Sequence, residues 1–163
     1  MKALLVIRHC KSDWDLSGLS DHDRPLNPRG KKDAPRIAKR LLALNPKLDR
    51  IYHSTAKRAS DTTMSIFSHM NSETPISSMQ DLYTFSCDEV LAIVRDLPEN
   101  ESNVCIVAHN PALTEFIESY TTISLDNLPT GGFCLIHFDV NKWSEIEEGS
   151  GKVKYLEYPK MLK

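Results

Sequence analysis

The sequence lacks most of the features that would set it apart from an ordinary soluble globular protein. No apolar stretch approaches the ~20 residues that a membrane-spanning helix needs, so no membrane role is expected. After Met1 and Lys2, only the apolar residues Ala3 to Ile7 precede Arg8 and His9. That is too short for the core of a secretory leader, and a cytoplasmic location is expected. Surplus positive charge is also missing. The formal net charge is -2, which argues against a nucleic-acid binder that neutralises many phosphates but allows a local basic pocket for one small anion. Cysteine is sparse, and Cys10, Cys87, Cys105 and Cys134 form no C-x-x-C pair. A disulfide framework or zinc site is therefore not expected. His22, His53, His69 and His137 show no metal-ligand spacing and are read as structural or exposed. Repeats, low-complexity tracts and linkers are absent.

What is present reads as one domain over residues 1–163, large enough for a full hydrophobic core. Ala3 to Ile7 is a short continuous apolar run, the pattern of a strand buried on both faces. It is followed by some twenty polar, turn-rich residues, a loop length that often signals function. Apolar positions Ala34, Ile37, Ala38, Leu41 and Leu42 predict a helix from about Lys31 to Leu44, stopped by Asn45 and Pro46. Residues 50–53 read as a second strand. Ser54 or Thr55 is placed to cap a helix whose inner face is Ala59, Thr62, Thr63, Ile66, Phe67 and Met70. Pro75 to Tyr83 reads as an extended connection, and Asp88 to Leu97 as a third helix. Asn103 to Ala108 is a second strongly buried strand. Asn110 suits an N-cap and Pro111 the first helical position of a fourth helix. Phe133 to Phe138 is a further strand, and Val153 to Tyr158 alternates as an edge strand.

Strands alternating with amphipathic helices predict a three-layer α/β/α sandwich on a mainly parallel sheet with one antiparallel edge strand. In such sheets ligands bind beyond the carboxyl ends of the strands. Here three strand ends deliver Arg8 and His9, then Arg58 one turn into the following helix, then His109. Two guanidiniums and two imidazoles converging on one edge make a site for an oxyanion, because Arg pairs bidentately with phosphate oxygens and helix N-termini add oriented N–H groups. Neutral His is a competent nucleophile near neutral pH, and a ring held by one nitrogen at a strand end can attack through the other.

These residues sit in four ordered motifs. Arg8, His9, Cys10 and Ser12 fit R-H-(small)-x-(S/A). Ser54, Arg58, Ala59 and Thr62 fit S-x-x-x-R-A-x-x-T. Ala108, His109 and Pro111 fit (S/A/G)-H-x-P, and Arg24 to Gly30 fits R-P-L-(T/N)-x-x-G. Together they resemble the histidine phosphatase, or phosphoglycerate mutase-like, superfamily, and in particular its short SixA-like branch of phosphohistidine phosphatases. The resemblance runs from about Leu4 to Leu113. It implies that His9 is the phosphorylated nucleophile, that Arg8, Arg58 and His109 complete the phosphate pocket, and that Ser12 and Arg24 lie near the substrate. It implies no metal or organic cofactor. The partner it implies is a phosphorylated protein, such as a phosphohistidine-bearing phosphorelay domain, or else a small phosphate ester.

The match has departures. Cys10 stands where Gly is common. Many relatives carry an acidic proton donor near Leu82 and Tyr83, where Thr84 and Phe85 follow instead. Asp21, Asp23, Asp88 and Glu89 are the nearby carboxylates, or there is no such acid. An alkoxide leaving group needs a strong proton donor, whereas the imidazole of a phosphohistidine carries its own protonatable nitrogen. Three rival readings remain: a small-molecule phosphomonoesterase, a mutase on the same scaffold, or a non-catalytic phosphate-binding protein. Two other phosphatase chemistries fail on spacing. No cysteine has Arg six positions later, and the Asp13-x-Asp15 pair lies in a polar loop without supporting motifs.

Overall fold

The computed structural model describes residues 1–14 and 16–162; Asp15, and with it the Asp13-x-Asp15 element as a whole, lies outside them. The chain order is β1 (Lys2–Arg8), α1 (Pro28–Leu44), β2 (Arg50–Ser54), α2 (Lys57–His69), β3 (Ile76–Met79), α3 (Cys87–Arg95), β4 (Asn103–Ala108), α4 (Ala112–Tyr120), β5 (Phe133–Phe138) and β6 (Lys152–Glu157). The strands form one sheet in the order β3-β2-β4-β1-β5-β6. β3, β2, β4 and β1 run parallel. β5 pairs antiparallel with β1 on one side and with β6 on the other. The reversed strand therefore lies one in from the edge, with β6 outside it.

Strand periodicity divides the core into two. Leu4 and Val6 of β1 face a cluster with Val90 and Val94 of α3 and Leu113, Phe116 and Ile117 of α4. Leu5 and Ile7 face the other side, with Ile37 and Leu41 of α1 and Ile66 and Phe67 of α2. β1 is buried on both faces because helices cover both, which is why its sequence is an unbroken apolar run. No helix among the described residues is long and apolar enough to cross a membrane.

Several local expectations are corrected. α1 starts at Pro28, not Lys31, because the Asn27 side chain accepts from the Gly30 N–H and Pro28 takes the first helical position. The residue entering α2 is Ala56, without a side-chain cap; Ser54 instead accepts the Ala56 N–H and turns toward the sheet edge. Residues 76–79, read as a connection, pair with β2 as the outer strand β3. α4 begins at Ala112 with Pro111 in the N-cap position, while Asn110 Oδ1 accepts from the Thr114 N–H.

Two glycines fix the loop that follows β1. A Cβ on Gly30 would stand 2.1 Å from the Lys11 carbonyl oxygen, so only glycine lets α1 approach this loop. Gly131, at φ +72°, donates its N–H to the Arg8 and His9 carbonyls at 3.1 and 3.0 Å. The Arg8–His9 backbone is thereby held between β4 and the turn before β5.

Candidate active site

β1, β2 and β4 end side by side, and one cavity of about 270 Å³ opens at their carboxyl ends. Arg8, His9, Ser12, Arg24, Arg58 and His109 all line it, together with Lys11, Trp14, Asp21, Phe85, Asn110 and Thr130. Larger hollows of about 410 and 470 Å³ lie between α1 and the C-terminal segment and beside β6. Neither holds a comparable set of charged and nucleophilic groups, so size does not locate the chemistry; donor geometry does.

His9 is 6% exposed, at the floor. Its Nδ1 lies 2.7 Å from the Cys10 carbonyl oxygen, an acceptor that requires the proton on Nδ1. Nε2 then carries the free lone pair, and no hydrogen bond engages it among the described residues. The Cys10 N–H donates to Thr62 Oγ1, which in turn donates to the Arg58 carbonyl, tying the His9 loop to the first turns of α2. Burial, with a smaller contribution from the Arg58, Arg8 and Arg24 charges, pushes His9 down to about 3, although its bond to the Cys10 carbonyl acts the other way. The ring is neutral at physiological pH. Cys10 itself is pushed up to about 12 by burial and is an inert thiol.

His109 follows β4 directly, 1% exposed, with its ring 5.2 Å from that of His9. Its Nε2 lies 2.7 Å from Ser54 Oγ. Burial, and after it the neighbouring His9 and Arg58, push it down to about 3. When the Ser54 hydroxyl donates to Nε2, the ring proton sits on Nδ1.

The arginines divide into two kinds. Arg58 is 2% exposed; Nη1 donates to the Asp21 carbonyl and Nη2 to Asp21 Oδ2. Arg8 Nη1 donates to the Leu128 carbonyl. Among the described residues only five buried side-chain polar atoms lack a partner, and three of them belong here: Arg8 Nε, Arg58 Nε and His109 Nδ1. Buried donors are almost always satisfied. Arg8, Arg58 and His109 line the same cavity as His9, and the charge of the two guanidiniums there suits an oxyanion. Arg24 differs. Its Nε and Nη2 grip Asp21 Oδ1, its Nη1 donates to Ser12 Oγ and the Asp13 carbonyl, and Trp14 lies over it at 3.5 Å.

Of the candidate acids, only Asp21 lines the cavity. Its carboxylate accepts four hydrogen bonds, from Arg24 Nε and Nη2, Arg58 Nη2 and the Tyr83 hydroxyl at 2.6 Å. Burial opposes ionisation, but those donors outweigh it and hold the group well below the usual carboxylate range. Asp23 pairs with His22 at the surface, and Asp88 and Glu89 stand in the first turn of α3, outside the cavity. Sequence reasoning did not single out Trp14, Phe85, Thr130 or the supporting Ser54; only the place of Ser54 in its motif could have pointed to a contact with His109.

A mainly parallel α/β sheet with a cationic, imidazole-floored pocket at its carboxyl edge suits a protein that handles phosphoryl groups. The family model described as "Histidine phosphatase superfamily (branch 1)" matches residues 4–90, more than half of the chain. The chain belongs to this superfamily, and its activity at that level is that of a phosphatase. An uncharacterized protein of Mycobacterium tuberculosis is 28% identical over 153 residues, covering 88% of this chain and 93% of the relative. The fold is that of a structure from Agrobacterium tumefaciens described as the "putative phosphohistidine phosphatase SixA", with a TM-score of 0.83 at 23% identity over 97% of this chain and 98% of that one. A mycobacterial glucosyl-3-phosphoglycerate phosphatase shares it with a TM-score of 0.69 at 13% identity over 97% of this chain and all of its own.

Proposed function

We propose that the chain is a phosphohistidine phosphatase that works through covalent phosphorylation of His9. The observation that carries this reading is the orientation of His9: Nδ1 is tied to the Cys10 carbonyl and Nε2 is free, in a cavity that Arg8, Arg58 and His109 also line. In the first step the Nε2 lone pair forms the N–P bond as the bond to the leaving group breaks, and the negative charge on the equatorial oxygens rests on Arg8, Arg58 and His109. In the second step water attacks phosphorus, the N–P bond breaks, and its electron pair returns to a neutral His9. Ser12 and Arg24 support the wall of this pocket, and the whole machinery sits within one domain of residues 1–163.

The ionised Asp21 supports the substrate class. Four donors hold it as an anion, so it is a poor proton donor for an alkoxide. The imidazole of a phosphohistidine leaves with a proton on its own second nitrogen and needs no such acid. The fold shared with the structure described as a phosphohistidine phosphatase is in keeping with this substrate class. A small phosphate ester is the second reading, favoured by the fold shared with the glucosyl-3-phosphoglycerate phosphatase.

The mechanism is tested on a generic aryl phosphate with wild type and His9→Ala. Loss of the nucleophile lowers kcat by roughly four orders of magnitude or more; equal rates reject the reading. Rapid-quench trapping of phosphate on His9 separates catalysis from mere binding. Faster turnover of a small ester than of a phosphohistidine protein transfers the function to the second reading.

A further inference from the structure

His9 lies on the floor of the cavity, and attack on phosphorus must come in line with the departing bond. The leaving group therefore occupies the side away from the floor, toward the mouth. Two of the residues that line this cavity are large aromatics that remain open to solvent: Trp14, 73% exposed, and Phe85, 48% exposed. The rest of the molecule buries its Trp and Phe side chains; Trp143, Phe67, Phe116, Phe133 and Phe138 are all in the core. Both rim rings are also held in place. Trp14 packs on the Arg24 guanidinium, which is itself fixed by Asp21 and Ser12. The Phe85 ring lies 5.7 Å from His109 and 5.9 Å from Tyr83, and Tyr83 is anchored through its hydroxyl to Asp21. An exposed, braced aromatic pair at the exit of a phosphoryl pocket suits a flat partner ring better than a flexible polyol, because ring–ring contacts add favourable geometry to simple burial.

We propose that Trp14 and Phe85 bind the leaving group and select substrates whose phosphoryl group is attached to a planar ring, an imidazole or a phenol. This inference rests on the reading of the cavity as the phosphoryl site, and it deepens the substrate class without depending on turnover. The selection is steric and dispersive, made by the two rings. The phosphoryl end is held by other residues, so the two functions separate by mutation.

The test uses two non-hydrolysable probes, phenylphosphonate and methylphosphonate, with binding measured by calorimetry on wild type, Phe85→Ala, the double variant with Trp14→Ala, and Phe85→Tyr. Wild type is expected to prefer the phenyl probe by roughly tenfold. That preference is expected to fall to near unity in the double variant and to be retained by Phe85→Tyr, which keeps the ring. An absent preference in wild type, or one that survives removal of both rings, overturns the proposal. Turnover of phosphoimidazole and phenyl phosphate by the same proteins identifies the ring. A larger KM increase for phosphoimidazole supports imidazole. A larger one for phenyl phosphate still supports the aromatic rim but moves the substrate from phosphohistidine to a phenol. His9→Ala, which retains the rim, is expected to keep the phenyl preference while losing turnover, so failure of the mechanism and failure of this inference give different results.

Discussion

The floor and the wall of the cavity both use buried arginine and finish it in opposite ways. On the wall, Arg24, Asp21, Tyr83 and Ser12 satisfy one another; the Asp21 carboxylate accepts four hydrogen bonds and Arg24 directs three of its nitrogens to protein acceptors. On the floor, Arg8 and Arg58 keep Nε unpartnered and His109 keeps Nδ1 unpartnered, all buried. Leaving a buried donor unsatisfied costs about 1–3 kcal/mol, so the floor is the less stable arrangement when the protein stands alone. The wall fixes geometry, and the floor holds binding capacity in reserve. Arg58 belongs to both, since its Nη atoms join the wall and its Nε faces the floor's task.

The sharpest way to break this contrast is to remove Arg58. Arg58→Ala takes a preorganised donor from the developing phosphoryl charge, and kcat/KM is expected to fall by about 10²–10³. Steady-state kinetics on an aryl phosphate check it. Arg58→Lys is expected to recover little, because an ammonium cannot reproduce the planar fork that serves Asp21 and an oxyanion together.

A second test uses pH. His9 and His109 are pushed down to about 3, whereas in an unfolded chain they titrate near 6.5. Above 6.5 both states hold neutral rings and stability does not depend on these groups. Between 6.5 and about 3 the unfolded chain takes up protons that the folded floor refuses, so stability falls as pH drops through that window. The slope approaches about 1.4 kcal/mol per pH unit for each histidine. Denaturant unfolding at pH 7, 6, 5 and 4 reads it. His9→Gln with His109→Gln is expected to flatten the slope. A wild-type profile flat to pH 4 would show that the rings are not buried as neutral groups. The acid limb of kcat/KM, which reports the free enzyme, is expected well below 6.5 for the same reason.

The wall is expected to be less critical. Asp21→Asn keeps the shape of the side chain but removes the charge that pairs Arg24 and Arg58. The expected loss in kcat/KM is roughly tenfold, the scale of one charge-assisted hydrogen bond. A loss as large as that of Arg58→Ala would mean that the wall takes part in the chemistry and that the division drawn here is wrong.

Much of the floor was legible in the sequence and little of the wall was. β1, β4 and β5 announce themselves because strands covered on both faces must be continuous apolar runs, and the rule that ligands sit at carboxyl strand ends then brings Arg8, His9, Arg58 and His109 together. β3 escaped notice because Ile76–Met79 is a half-exposed outer strand whose two central serines break the alternation. The Ser54 cap was misread for a related reason: a serine before a helix is usually a cap, and nothing local shows that its hydroxyl meets a histidine far along the chain. Asp21 could be named only as one acid among several. Its ionisation is set by Arg24, Arg58 and Tyr83, and that depends on the path of the loop, a path closed by Gly30 against Lys11. Charge partners of this kind are tertiary facts without a sequence period.

The mildest prediction concerns the link between Ser54 and His109. Ser54 is fully buried, accepts the Ala56 N–H at 3.1 Å and lies 2.7 Å from His109 Nε2. Neutral imidazole has one N–H, and which nitrogen bears it is decided by the partner of the other. With the Ser54 hydroxyl donating to Nε2, Nδ1 carries the proton and serves as a donor on the floor. Ser54→Ala removes that constraint and leaves the ring free to hold its proton on either nitrogen. The expected effect is a loss in kcat of a few-fold, about 1 kcal/mol, with little change in fold. Nitrogen NMR of the histidine rings checks the cause separately from the rate: wild type is expected to show His109 protonated at Nδ1, and the variant a mixture. A wild-type spectrum with the proton on Nε2 would reverse the direction of the Ser54 bond and take His109 Nδ1 out of the set of donors.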